Sequence, residues 1–106
     1  MVISYATKDN YAFKRLFCSL KAVGQSVQAL AIGEPFLGIG EKVMRLRNEL
    51  EGHKNDEKTI VLFTDAYDVL FFDGADAILE KFKQLNSRIV FSADNNCWPP
   101  GPHCEM

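Results

Sequence analysis

The sequence predicts an α/β fold in which a mostly parallel, Rossmann-like sheet is flanked by helices. Short β-branched and aromatic segments alternate along the chain with longer segments whose apolar residues recur at helical spacing. The segment 60–63 is apolar without polar alternation, which is typical of a strand covered by helices on both faces. An alternating order of strands and helices requires crossover connections, and such connections join parallel strands.

The N-terminal part of the chain predicts a strand, a helix and a second strand. Residues 2–7 form the first strand, and Asn10 lies among the candidate capping residues that precede the helix. Gly24 ends this helix because glycine tolerates a positive φ, and residues 27–32 form the second strand. Cys18 lies beside the apolar face and is expected to be buried. The apolar face consists of Phe13, Leu16, Phe17, Leu20 and Val23.

The remaining elements continue this alternation. Residues 33–40 are rich in glycine and include a proline, which indicates a loop, and residues 41–51 follow as a second helix. Residues 59–64 predict the clearest strand of the chain, central in the sheet and buried on both faces. A third helix begins after Gly74, and residues 88–93 predict a further buried strand.

Length and composition restrict the chain to one domain or part of one. Its 106 residues are 47% hydrophobic and 25% charged, as in an ordinary globular protein, which excludes intrinsic disorder. A net charge of −2 is a poor electrostatic footprint for binding nucleic acid. Apolar runs such as 69–72 are far shorter than the ~20 residues that a membrane span needs.

The cysteines and the N-terminus bear on the cellular compartment. No basic region followed by an apolar run opens the chain, so the sequence predicts no signal peptide. Three cysteines are too few for a disulfide scaffold, although Cys97 and Cys104 could close a small loop in an oxidising compartment.

Two aspartates directly after the third predicted strand are the strongest candidates for chemistry. In open α/β sheets, ligands bind beyond the carboxyl ends of the strands, and Asp65 and Asp68 follow such an end. A hard divalent cation would neutralise both carboxylates and could bridge them to a diphosphate. The alternative is a turn or capping role, which is common for aspartate where a strand meets a loop.

A longer pattern surrounds this acidic pair. Residues 60–71 read IVLFTDAYDVLF. This string resembles the F-x-D-x-Y-D-V segment in the glycosyltransferase domain of the procollagen lysyl hydroxylases. Further segments resemble that domain in the right order, and they are 5–7, 40–43, 79–82, 91–94 and 96–99.

The resemblance implies that residues 1–98 are the nucleotide-sugar-binding half of a GT-A glycosyltransferase fold, with residues 99–106 as an irregular tail. It further implies Mn²⁺ as the cofactor, with Asp65 and Asp68 as its ligands. The residues that would bind the UDP-sugar are Tyr5, Ala6, Thr7, Lys42, Asp65, Ala66, Tyr67 and Trp98.

Specific roles follow for three of these residues. Tyr67 could stack on uracil, Lys42 could place its charge on the phosphates, and Trp98 would line the sugar pocket. Without the resemblance, ordinary structural roles remain open for the same residues. Tyr5 and Tyr67 could be core aromatics, Lys42 a solvated residue in a first helical turn, and Trp98 a packed anchor.

The resemblance also implies a reaction. A hexose, with glucose favoured, would pass from UDP-glucose or UDP-galactose to a hydroxylysine-linked sugar of collagen or procollagen. It implies no Fe(II)/2-oxoglutarate site in this chain, because the hydroxylase domain of the family lies elsewhere. We expect the isolated chain to be weakly active or inactive, and no catalytic nucleophile is assigned.

The last expectations concern the cellular compartment of the protein, its oligomeric state and an alternative function. The resemblance implies the lumen of the endoplasmic reticulum, whereas a complete chain without a signal peptide would be cytoplasmic. It also implies that full-length members can form oligomers. The alternative function is a non-catalytic α/β remnant or interaction module that binds partners through uncovered sheet edges.

Overall fold

The computed structural model describes residues 1–93, 95–97 and 101–105, and within them the predicted α/β class is confirmed. Three parallel strands form one sheet in the order β2-β1-β3. A short 3-10 turn, Pro102–Glu105, lies near the C-terminus. The strands are β1 (Val2–Tyr5), β2 (Val27–Leu30) and β3 (Leu62–Thr64). The helices are α1 (Tyr11–Ala22), α2 (Ile39–Glu51) and α3 (Ala75–Gln84).

Strand β1 is the centre of the sheet. All four of its residues are buried, and Val2 is in register with Val27 on one side and Leu62 on the other. Its one buried polar side chain, Ser4, donates a hydrogen bond of 2.8 Å to the carbonyl oxygen of Thr64. Because that hydroxyl has a partner, its burial carries no unpaired polar group.

The prediction that residues 59–64 form a central strand buried on both faces is wrong. Only Leu62–Thr64 form β3, its residues are half-buried, and within the described residues it pairs with β1 alone. The apolar run indicated burial, but the position of a strand in the sheet depends on which strands pair with it.

Helix α1 follows its local sequence signals. The side chain of Asn10 accepts a 3.0 Å hydrogen bond from the backbone N–H of Phe13, and Gly24 has a φ of +72° just beyond the helix. Leu16 is among the fully buried residues of the core. Cys18 is exposed, so its predicted burial is wrong. Two residues along a helix correspond to about 200°, which turns Cys18 away from the face of Leu16.

The loop before α2 returns to the end of β1. The N–H of Gly33 donates a 3.0 Å hydrogen bond to the carbonyl oxygen of Thr7. Gly33 and Gly38 have φ values of +83° and +115°, a region that favours glycine. The loop therefore delivers the first turn of α2 to the edge of the sheet where the strands end.

The prediction of a strand at residues 88–93 is also wrong. These residues adopt no regular secondary structure, and Ile89 and Phe91 are 73% and 86% exposed. A strand needs the backbone groups of a neighbour, and no described residue pairs with this segment. Its apolar composition therefore does not lead to burial.

Two further features are a disulfide near the C-terminus and the lack of a membrane-spanning helix among the described residues. Cys97 and Cys104 form a disulfide, with their Cα atoms 5.5 Å apart. In the described parts of the chain, no helix has both the length and the apolar character that crossing a membrane requires.

Candidate functional site

The segments that follow β1 and β3 are joined by the hydroxyl of Tyr67. Its oxygen accepts hydrogen bonds from the backbone N–H groups of Thr7, at 3.1 Å, and Lys8, at 3.0 Å. Tyr67 as a whole remains 39% exposed, so part of the residue faces solvent. The structure thus brings together two of the segments in which the sequence predicted ligand contacts, through a hydroxyl that holds the backbone.

Helix α2 adds a charged residue to the same edge of the sheet. The ammonium group of Lys42, in the first turns of α2, forms an ion pair with Oδ1 of Asp65. The same nitrogen lies 5.5 Å from the centroid of the Phe63 ring, which favours a cation. The side chains of Lys42 and Asp65 are 28% and 57% exposed. Two residues predicted to bind the nucleotide-sugar are therefore in direct contact.

The acidic pair suits a hard cation in its donor chemistry. Asp65 already holds a positive group, and both Asp65 and Asp68 are open to solvent. No group of three or more His, Cys, Asp or Glu that could hold a metal ion occurs among the described residues. Such ions are often bound by one or two carboxylates together with substrate phosphates and water. Mn²⁺ accepts the same oxygen ligands, so the carboxylates of Asp65 and Asp68 are of the chemical type that such an ion binds.

Tyr5 lies beneath this edge rather than on its surface. It is only 6% exposed, and its hydroxyl donates a 3.2 Å hydrogen bond to Oε2 of Glu41. Burial, and then the Glu41 carboxylate, raise the pKa of Tyr5 above its ordinary value, which keeps the phenol protonated. The Phe36 ring lies 6.4 Å from the Tyr5 ring, centroid to centroid.

Ala6 and Ala66 are buried next to the site. Their exposed fractions are 0% and 3%. The N–H of Ala6 donates to the carbonyl oxygen of Leu30, which ties the end of β1 to β2. With methyl side chains inside the core, these residues shape the site through the path of their backbone.

A charged network that the sequence analysis did not assign holds the loop before α2. Arg45 donates to Glu34 in the loop, with one contact at 3.1 Å, and to Glu41, at 3.3 Å from its Nε. Glu41 also accepts a 3.3 Å hydrogen bond from the N–H of Leu37. Hydrogen bonds to Glu34, and then to Glu41, raise the pKa of Arg45. The four-residue spacing of Glu41 and Arg45 was a usable signal, whereas the distant Glu34 offered none.

Trp98, the predicted wall of the sugar pocket, lies outside the described residues. A different, apolar cavity of about 100 Å³ lies at the opposite ends of the strands, between the start of β1 and α3. Its lining includes Val2, Leu62 and Phe82, and no Asp, Glu, Lys or Arg lies among the described residues that line it.

Comparison with known proteins gives a consistent set of matches. Residues 1–102 match a family model described as PLOD GT domain. The chain is 39% identical to procollagen-lysine,2-oxoglutarate 5-dioxygenase 1 of Pongo abelii and 38% identical to that of Homo sapiens, in each case over 106 residues. It is 36% identical to procollagen-lysine,2-oxoglutarate 5-dioxygenase 2 of Mus musculus over 107 residues. The alignments cover 93% of this chain but only 14% to 15% of these relatives, so the chain spans about one seventh of their length.

Proposed function

This chain belongs to the PLOD GT domain family, and on that premise we propose that it forms the nucleotide-binding part of a glycosyltransferase that uses a UDP-sugar and Mn²⁺. The observation that carries the proposal is the contact between Lys42 and Asp65 at the carboxyl ends of the strands. There, a carboxylate suited to a metal ion and an ammonium group suited to phosphate lie side by side.

Each residue of this edge has a distinct task in the proposal. Asp65 and Asp68 would hold the metal ion, which would neutralise the negative charge that grows on the departing diphosphate. Lys42 would add its own positive charge to the phosphates. Tyr67 holds the backbone at Thr7 through its hydroxyl, and because the residue is partly exposed its ring would stack on the flat face of uracil.

The donor, the acceptor and the compartment extend the same proposal. The names of the relatives refer to procollagen lysine, which supports collagen or procollagen hydroxylysine as the origin of the acceptor. We propose transfer of a hexose, glucose before galactose, to a sugar on that residue. The disulfide between Cys97 and Cys104 supports an oxidising compartment such as the lumen of the endoplasmic reticulum.

Isothermal titration of UDP into the full chain, with and without Mn²⁺, tests the proposal. We expect binding that depends on the metal ion and that weakens by about tenfold or more in Asp65→Asn and Asp68→Asn, because a carboxamide carries no charge to offset the cation. Asp76→Asn is the matched control, since Asp76 is an exposed aspartate on α3. Equal, negligible heats for the native chain and both site variants would reject the proposal.

One observation favours a second candidate function, a non-catalytic interaction module. Within the described residues, β2 and β3 each have a partner on one side only, and the apolar Ile89 and Phe91 are exposed. Unpaired strand edges can pair with another chain. Association that grows with concentration in sedimentation, in a chain that binds no UDP with Mn²⁺, would favour this function over the first.

A further inference from the structure

We propose that Lys42 is an exchangeable counter-ion, which neutralises Asp65 before ligands bind and moves to the diphosphate when nucleotide arrives. The consequence is that nucleotide and metal ion bind cooperatively, because the same movement that contacts the phosphates frees the carboxylate for the metal ion. This inference rests on the proposed function and specifies the order of events at the same site.

The geometry of the ion pair is the first part of the argument. The ammonium group of Lys42 contacts Oδ1 of Asp65, the first residue after β3 and one of the two proposed metal ligands. A metal ion that approaches Asp65 therefore competes with a positive group of this chain. Because Asp65 is 57% exposed, the competition takes place at the surface, where exchange needs no rearrangement of the core.

The neighbouring charges explain why Lys42 is the group that exchanges. Arg45 lies close by on the same helix, but its guanidinium is engaged with both Glu34 and Glu41. Glu41 in turn accepts the hydroxyl of Tyr5, so its carboxylate is committed to that network. The network anchors the first turns of α2 and leaves the charge of Arg45 compensated.

The chemistry of lysine suits this exchange. An ammonium group is a compact charge on a flexible stem and binds phosphate without the fixed geometry that a guanidinium requires. The Phe63 ring lies 5.5 Å from the ammonium nitrogen, centroid to nitrogen, and favours the cation at this place. An exposed ion pair of this kind favours the paired over the separated state by up to about fivefold. That preference is weak enough for a diphosphate to compete with Asp65 for the ammonium group. Coupling between two ligands is reciprocal, so each must strengthen the binding of the other by the same factor.

The first test measures this coupling in the full chain. The affinity for Mn²⁺ is determined by electron paramagnetic resonance without UDP and at saturating UDP, and the ratio is the coupling factor. Lys42→Met should bind Mn²⁺ alone about two- to fivefold more tightly, and its coupling factor should fall by a similar amount. Lys81→Met removes an exposed lysine on α3 and should leave the coupling factor unchanged. A coupling factor that is as large in Lys42→Met as in the native chain overturns the inference.

The second test needs no substitution and so does not depend on the folding of a variant. The rate at which an acetylating reagent modifies the Lys42 amine is followed by mass spectrometry, with Lys81 as the internal reference. Mn²⁺ alone should raise the rate at Lys42, because the metal ion displaces the amine from Asp65. UDP together with Mn²⁺ should lower it, because the phosphates then cover the amine. A rate at Lys42 that does not respond to Mn²⁺ overturns the inference.

The two proposals fail in different ways. If the native chain shows no binding of UDP in the presence of Mn²⁺, the proposed function is overturned and the exchange falls with it. If UDP and Mn²⁺ bind but the coupling factor and the acetylation rate do not depend on Lys42 as described, the exchange alone is overturned.

Discussion

The hydroxyl of Tyr67 offers the most direct test of how the site is assembled. It accepts the backbone N–H groups of Thr7 and Lys8, at 3.1 Å and 3.0 Å, from a segment about sixty residues away in the chain. Tyr67→Phe removes only this oxygen. Each hydrogen bond contributes about 0.5–1.5 kcal/mol net, and partial exposure allows water to replace some of that, so we expect a total loss of about 1–2 kcal/mol.

Urea denaturation followed by circular dichroism measures this loss as a lower midpoint at an unchanged slope. For a domain of this size, about 1 kcal/mol corresponds to a fall of about 4–8 °C in Tm. Tyr11→Phe is the matched control, because Tyr11 is 80% exposed and its loss of a hydroxyl should change little. Amide exchange gives a local readout, in which the N–H groups of Thr7 and Lys8 should exchange faster in Tyr67→Phe. Native stability and unchanged exchange at both amides would refute the bridge between the strand ends.

Three further predictions follow from the core, the loop before α2 and the polar connection after it. Leu16→Ala should cost about 2–5 kcal/mol in urea denaturation, because Leu16 is fully buried, whereas exposed Cys18→Ala should stay within about 0.5 kcal/mol; similar losses for both would contradict the observed burial. Arg45→Met should make the loop before α2 more sensitive to limited proteolysis, with Arg45→Lys intermediate, because the paired contacts to Glu34 in the loop are lost; equal cleavage of all three chains would count against the network. The hydrogen bond from the hydroxyl of Thr59 is the main cause that lowers the pKa of Asp56. The ionised carboxylate therefore stabilises the fold fully above its ordinary pKa of 3.8. This contribution is lost as the pH falls through the lowered pKa of Asp56. Asp56→Asn should therefore flatten the acid side of the stability profile, and a profile identical to that of the native chain would show that the contact does not form.

Helix α1 shows what local sequence signals can predict. Its capping residue Asn10 contacts a residue three positions on, Gly24 lies just beyond its end, and the spacing of its buried leucines can be read within a few turns. Helical hydrogen bonds join residues four apart, so the pattern in a short window contains most of the information about the element. The class of the fold followed from the same kind of evidence, repeated along the chain.

The strands show what local sequence signals could not predict. The segments 59–64 and 88–93 have similar apolar composition, and both were predicted to be buried. The first yields β3 at one side of β1, and the second remains unpaired and exposed among the described residues. Since a strand obtains its hydrogen bonds from another part of the chain, its burial depends on partners that a local pattern does not contain.

For the candidate site, too, the sequence predicted the chemical groups but not the contacts between them. The sequence pattern and its resemblance to the glycosyltransferase domain of the procollagen lysyl hydroxylases identified Asp65, Tyr67 and Lys42 as candidates. That Lys42 pairs with Asp65, and that the Tyr67 hydroxyl holds the backbone after β1, depends on the order of the strands and the path of the loop into α2. The amino-acid types and their neighbours along the chain were enough to predict the helices and the chemical groups available for a site. Which of those groups meet could be read only from the folded chain, because their contacts join residues that lie far apart in sequence.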